Sequence, residues 1–346
     1  MTPLGAAGLL AAAAGASWLM TARVRVYALR KEMLDVPNER SSHALPTPRG
    51  GGLAVVGVTL AALAGAWGAG LLAGKVAAAF IGGGAIIAAT GWADDRLHLS
   101  PVVRAALQCL AAWWAVTELG GMPTMILGTS TATLGPFGNL LAVVFIMWSV
   151  NLFNFMDGID GLATSEAVIV SLAGAAMLAS RDQSGLALVA LVVAGASAGF
   201  LRWNWSPARI FLGDVGSGFL GFMFGGLAVA SERGGQVPVI CWMMLGGVFV
   251  FDATVTLTRR VLHGERWYLP HRSHAYQRLI VAGWSHAQVT SSVLALDLVL
   301  AVLAWTTLLW PQWTGAAVAA LLVGLAALYT RIERLRLPAP PSGALL

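Results

Sequence analysis

The stretch NLFNFMDGIDGLA, Asn151 to Ala163, decides how this chain is read. It closes an apolar run over 139–156 that has the length of a membrane helix, and it sets two Asn and two Asp at the end of that run. An ionised carboxylate at the bilayer centre costs roughly 2.5–3.5 kcal/mol on insertion scales, so these groups are expected at the membrane surface, holding a polar ligand. Asn151, Asn154 and Asp157 recur every third residue and follow one slowly rotating helix face, while Gly158 and Gly161 loosen the helix end. Standing alone, the same residues would also serve as caps of an interfacial helix.

The surrounding composition sets the class. With 346 residues, 58% hydrophobic and 11% charged, the chain lies outside the soluble globular range and reads as all-α, a polytopic membrane helical bundle. Apolar stretches fall near 4–22, 51–72, 76–93, 102–119, 139–156, 163–180, 185–202, 215–231, 236–258, 288–310 and 314–331. They predict about 11 transmembrane helices, with 10 as the alternative count, in a single domain over 1–337 followed by a short Pro-rich tail, 338–346. No basic residue precedes the first apolar run, and Arg23, Arg25, Arg30 and Lys31 follow it, which predicts an uncleaved first span with its N-terminus outside. On that topology eighteen of the 21 Lys and Arg residues lie inside, and only Lys75, Arg181 and Arg233 lie outside. The net charge of +5 is therefore explained by topology, and nucleic acid is not an expected partner. Cys109 and Cys241 each sit in an apolar run and support neither a disulfide framework nor a thiolate metal site.

Each inner loop carries polar chemistry. The first holds three Pro and the run Gly50 to Gly52, with Arg40, His43 and Arg49 available to an anionic ligand. The third span ends in GWADDR, whose adjacent Asp94 and Asp95 suit either a divalent cation or a general base. The outer segment 120–138 reads equally as a loop or as a hairpin. Asp214 lies between Gly213 and Gly216, which lets a carboxylate and backbone amides approach a phosphate or its metal. The fingerprint GSGFLG at Gly216 to Gly221 lacks a preceding strand and opens a membrane span, so it is not a dinucleotide site. His271, Arg272, His274 and Gln277 cluster in the last long loop, where guanidinium and imidazole donors suit a diphosphate. Asp252 and Asp297 fall inside spans, and Asp297 is expected to be paired within the bundle.

The topology, drawn from hydropathy and basic residues alone, puts Asp94, Asp95, Asp157, Asp160, Asp214 and the His271 to Gln277 cluster on one face. Two carboxylates about 5 Å apart repel by roughly 3 kcal/mol at an effective dielectric near 20, so a converging acid set calls for a cation, and Mg²⁺ fits hard oxygen ligands shared with substrate phosphates. In order from Asp35 to Gln277, the segments DVPNERSSHALPTPRGGG, GWADDR, NLFNFMDGIDGLA, FLGDVGSG and HRSHAYQ resemble the motifs of the polyprenyl-phosphate N-acetylhexosamine-1-phosphate transferases. RSSH and HRSHAYQ are most similar to the bacterial enzymes that start O-antigen or related surface polysaccharides. The last loop lacks the consecutive histidines of the phospho-MurNAc-pentapeptide translocases, the alternative within the family.

The resemblance implies transfer of sugar 1-phosphate from a UDP-N-acetylamino sugar to undecaprenyl phosphate, with release of UMP, at the cytoplasmic face of the bacterial inner membrane. It implies Mg²⁺, with Mn²⁺ as a substitute, held by Asp214, Asp95 and Asn154. Asp94 would take the proton of the lipid phosphate. Asn151, Asn154, Asp157 and Asp160 would hold the nucleotide and organise the metal site, His271, Arg272 and His274 would contact the diphosphate, and Arg40 and His43 would complete substrate binding. The apolar faces would also allow a homodimer in the bilayer. A transporter is the rival from another class, since Asp252 and Asp297 lie where coupling residues often sit.

Overall fold

The computed structural model describes residues 2–37, 45–265 and 272–335. Among the described residues the chain forms α1 (Pro3–Arg30), α2 (Gly52–Gly68), α3 (Gly74–Leu97), α4 (Pro101–Leu119), α5 (Pro136–Met156), α6 (Leu162–Ser180), α7 (Ser184–Asn204), α8 (Asp214–Arg233), α9 (Val239–Leu245), α10 (Gly247–Leu262), α11 (Ala275–Val281), α12 (His286–Leu309) and α13 (Thr314–Glu333). Two short antiparallel pairs accompany them: β1 (Leu34–Asp35) with β2 (Thr47–Pro48), and β3 (Thr124–Leu127) with β4 (Ser130–Thr133). Each predicted apolar stretch coincides mostly with helix. Among the described residues eight helical segments are each long and apolar enough to cross a membrane, or nine if the bent pair α9 and α10 is one span, fewer than the 10 or 11 expected from the sequence, and α2 is a shorter apolar helix. The protein is an all-α, multi-pass membrane bundle.

Helix starts follow from local chemistry. Thr2 accepts a hydrogen bond from the Gly5 amide ahead of Pro3, and Ser100 accepts from Val103 ahead of Pro101. Ser285 and Gln288 form a capping box at the head of α12. One expected span is interrupted. The stretch 236–258 is not one straight span, because α9 and α10 meet at 84° across Gly246 and Gly247, where two adjacent glycines give the backbone freedom to break. In segment 120–138, which the sequence leaves open between a loop and a hairpin, β3 and β4 form the hairpin, tied down where the Ile126 amide donates to Glu232 (2.6 Å).

The core is built around α8, in which every residue from Val215 to Glu232 is buried. It packs chiefly against α3 and α5, while α1, α12 and α13 keep most of their surface outward, with Leu4, Trp18, Val299, Val302 and Val323 exposed. Inside lipid the helices gain little from hydrophobic exclusion, so small residues that bring backbones together carry the packing. Gly91 is the sharpest case: a Cβ there would lie 2.4 Å from the Asp214 carbonyl oxygen, so α3 and the start of α8 meet backbone to backbone. At its far end α8 is held by Glu232, whose second oxygen accepts from the Val239 amide at 2.6 Å. Gly91→Val should therefore lower stability in detergent by roughly 2–3 kcal/mol through overpacking, read as a fall in thermal unfolding temperature. An unchanged unfolding curve would show that α3 and α8 do not meet there.

Candidate active site

Four helix ends and one turn assemble the polar site. Asp94 and Asp95 stand in the last turns of α3, Asn151 and Asn154 in the last turns of α5, Asp157 caps α5, and Asp214 opens α8. Asp95 lies against the start of α8, where its two oxygens accept from the Asp214 and Val215 amides, each at 3.4 Å. A helix N-terminus presents unpaired donors and partial positive charge, so a carboxylate is stable there. Arg49, which follows β2, donates to the Asp95 carbonyl. The amides of Gly51 and Gly52 donate to the carbonyls of Phe211 and Leu212 (2.9 Å each), which locks the first loop onto the loop before α8.

Asp94 takes a different partner. Its Oδ1 accepts from the Leu99 amide (2.7 Å) and its Oδ2 pairs with Arg104 in the first turn of α4 at 2.8 Å. Asp214 receives the Asn154 side-chain amide at 2.7 Å on one oxygen and faces the carboxyls of Asp94 and Asp95. Asn154 also donates to Ser217 (3.2 Å), and Asn151 donates to Gln108 of α4 at 2.8 Å. A narrow cleft results, lined by Asp94, Arg104, Gln108, Asn151, Asn154 and Asp214. Arg104 and Gln108 went unremarked in the sequence; the signal was their place in the first two turns of α4, directly after the paired acids.

The turn after α5 is fixed from two sides. Asp157 is half-buried, and that burial, reinforced by the charges of Asp214, Asp95 and Asp160, pushes its carboxyl well above the usual carboxylate range. Asp160 faces away from the cleft. Its Oδ2 accepts from the Ala208 amide at 3.0 Å and lies 3.3 Å from His286 Nδ1. Burial acts to raise its carboxyl, but the His286 and Ala208 hydrogen bonds outweigh it and hold the group below the usual range. The Tyr276 hydroxyl donates to the Phe155 carbonyl (3.0 Å) and rests on Gly158, where a Cβ would lie 2.1 Å from it.

The last loop is placed by Asp252. Its carboxylate accepts from the Ala275 amide (3.0 Å) and the Thr256 hydroxyl (3.0 Å), so this intraspan acid caps α11 and is occupied by structure. His274, assigned by sequence to the diphosphate, is instead 2% exposed, 3.4 Å from Asp252 and stacked on Tyr276. Arg272 lines a separate basic cavity of about 230 Å³ with Arg259, Arg260 and Arg278. Arg40, His43 and His271 lie outside the described residues. Among the described residues no group of three or more His, Cys, Asp or Glu side chains stands ready to hold a metal ion by itself.

The chain is 30% identical to the decaprenyl-phosphate N-acetylglucosaminephosphotransferase of Mycolicibacterium smegmatis over 92% of its own length and 86% of the relative's. A family model described as Glycosyl transferase family 4 matches residues 77–232, the segment that holds the paired acids, the Asn151 to Ala163 stretch and Asp214. The chain belongs to glycosyl transferase family 4. This family 4 chain is also 31% identical to a Bacillus subtilis protein named "Probable undecaprenyl-phosphate N-acetylglucosaminyl 1-phosphate transferase" (78% of this chain, 75% of the relative). It is 32% identical to the phospho-N-acetylmuramoyl-pentapeptide-transferase of a Synechococcus species over 65% of its length and 68% of the relative's.

Two tests follow from the turn. Gly158→Ala should displace the Tyr276 hydroxyl and lower stability by roughly 1–3 kcal/mol, and adding Tyr276→Phe should restore part of the loss; a double variant no better than the single one would refute the contact. Because the Asp160 carboxyl is held low when folded, its contribution is present above the ordinary carboxylate value near 4 and is lost as pH falls through the folded value. The unfolding temperature of Asp160→Asn should therefore start lower than wild type near neutrality and decline less steeply on acidification.

Proposed function

We propose that this chain transfers N-acetylamino-sugar 1-phosphate from a UDP-sugar to undecaprenyl phosphate, giving undecaprenyl-diphosphate sugar and UMP, at the cytoplasmic face of the bacterial inner membrane. The observation that carries the reading is the cleft itself, in which Asp94, Asn151, Asn154 and Asp214 converge from three helices at one end of a membrane bundle. One substrate has a prenyl tail that belongs in lipid, and the other is a charged nucleotide that does not enter it. Their reacting atoms can meet only at such an end. An apolar groove of about 610 Å³, lined by Val248, Phe251, Leu279, Val293 and Leu325 and reaching Tyr276 and Met156, offers the tail a path toward the turn after α5.

In the reaction an oxygen of the lipid phosphate attacks the phosphorus bonded to the sugar. The new bond is the lipid diphosphate linkage, and the bond to the UMP oxygen breaks with its electron pair leaving on UMP. Phosphoryl transfer of this kind relies on positioning and charge neutralisation more than on covalent help. Asp94 would accept the proton of the lipid phosphate, and Arg104, paired with it at 2.8 Å, would add positive charge beside the phosphates. Asn151, oriented by Gln108, would bind the nucleotide. Asp157 would help organise the metal side of the cleft and Asp160 would hold the turn that carries it. Arg272 and His271 would meet the diphosphate.

A divalent cation fits the donor set in a limited way. With no preformed three-acid cage among the described residues, the protein would supply Asp214, the Asn154 carbonyl oxygen and Asp95, and the rest of the shell would come from substrate phosphates and water, which is how Mg²⁺ is usually held. Bound there, Mg²⁺ or Mn²⁺ would neutralise the charge that builds on the diphosphate oxygens. The product would open O-antigen or another surface polysaccharide. Similarity to a muramoyl-pentapeptide transferase puts that donor on the test panel as well.

Purified protein incubated with undecaprenyl phosphate, Mg²⁺ and a panel of UDP-sugars should release UMP and yield a lipid diphosphate sugar by mass spectrometry. Asp214→Asn and Asp94→Asn should each reduce UMP release at least about a hundredfold. Retained activity in Asp214→Asn would remove the metal assignment, and absence of lipid product with every donor would remove the reaction.

A further inference from the structure

Glu166 and Asp297 take no part in the cleft. Glu166 lies in the second turn of α6 and Asp297 half way along α12, and they are 1% and 0% exposed. None of their four carboxyl oxygens meets a protein hydrogen-bond donor. Each interacts with the other, and no further charged or titratable side chain acts on either from α5, α7, α8, α9, α10, α11 or α13 among the described residues. A Cβ on Gly246 would lie 3.7 Å from Glu166 Oε1, so Glu166 stands directly against the break between α9 and α10.

Two ionised carboxylates with no counter-charge do not persist in a water-free interior. Four orphaned oxygens beside an interrupted membrane helix form a donor-poor, acceptor-rich cluster, the setting in which small cations and protons are held within bundles. We propose that Glu166 and Asp297 form an intramembrane site for one positive charge, either a proton on Glu166 donated to the Asp297 carboxylate or a sodium ion seated between the two carboxylates. That charge joins α6 to α12 at the point where the α9 to α10 path bends. The inference stands apart from the transferase reading, and its tests need no substrate.

Thermal unfolding of the purified protein in nanodiscs separates the two sources. If the charge is sodium, the unfolding temperature at about pH 8.5 rises by roughly 2–4 °C when NaCl replaces choline chloride, and Glu166→Gln abolishes the response. If it is a shared proton, sodium has no effect and the wild-type temperature falls as pH rises from about 6 to about 9. Glu166→Gln, whose amide can donate to Asp297 in the proton's place, then matches wild type near pH 6 and loses the dependence. Should the variants fail to fold, N,N′-dicyclohexylcarbodiimide labelling of the wild type supplies a second readout. Modification of Glu166 or Asp297 should decline with alkali for a shared proton, or with sodium for a bound ion. Superimposable responses of wild type and Glu166→Gln/Asp297→Asn in both titrations would overturn the proposal. So would complete labelling of both acids irrespective of pH and sodium, which would mean two neutral carboxyls.

Discussion

Like charges repel, and that constraint shapes the whole of this molecule. Asp94, Asp95, Asp157 and Asp214 are gathered at one end of a bundle that is 58% hydrophobic, where each close pair of carboxylates opposes folding by about 3 kcal/mol if nothing answers it. The fold answers with a different device for three of these acids. Asp95 is set against the free amides at the head of α8, Asp94 against Arg104, and Asp214 against the Asn154 amide. Asp157 is left without such help, and its carboxyl holds its proton more tightly than an ordinary one. The same end of the bundle is thereby both a structural junction and a place with unspent affinity for positive charge.

These devices depend on backbone contact. The acids converge because α3 and α8 touch at Gly91, because the glycine run after β2 binds the loop ahead of α8, and because Tyr276 rests on Gly158. Three segments far apart in the chain are brought within hydrogen-bonding reach by positions where a side chain would not fit. Asp252 does similar work for the last loop, fastening α11 by its first amides and burying His274 beside it.

Much of this was legible in the sequence and some was not, for physical reasons. Hydropathy located every helix but α11, which lies in the expected last loop, since a stretch that must satisfy its backbone in lipid has little choice but to coil. It could not locate the 84° bend, because Gly246 and Gly247 are as compatible with an apolar run as the residues around them and a bend leaves no hydropathic trace. The grouping of Asp94, Asn151, Asn154 and Asp214 followed from topology, whereas the partners Arg104, Gln108 and His286 did not, because single polar residues at the start of α4 and α12 look like ordinary interfacial positions. Asp252 resembled a coupling residue until its place under α11 was visible. Asp297 was expected to have a partner, but Glu166, hidden among Ala, Thr and Ser in the first turns of α6, gave no sign of being it.

The Glu232 carboxylate has a mechanical consequence. It grips the amides of Ile126 and Val239 at one end of α8, while Asp95 grips the amides of Asp214 and Val215 at the other. A rod pinned at both tips can neither slide nor swivel, so α8 is the fixed axle of the molecule. Whatever compliance substrate entry and product exit demand has to be supplied by the parts that are not pinned in this way, the α9 to α10 elbow first among them.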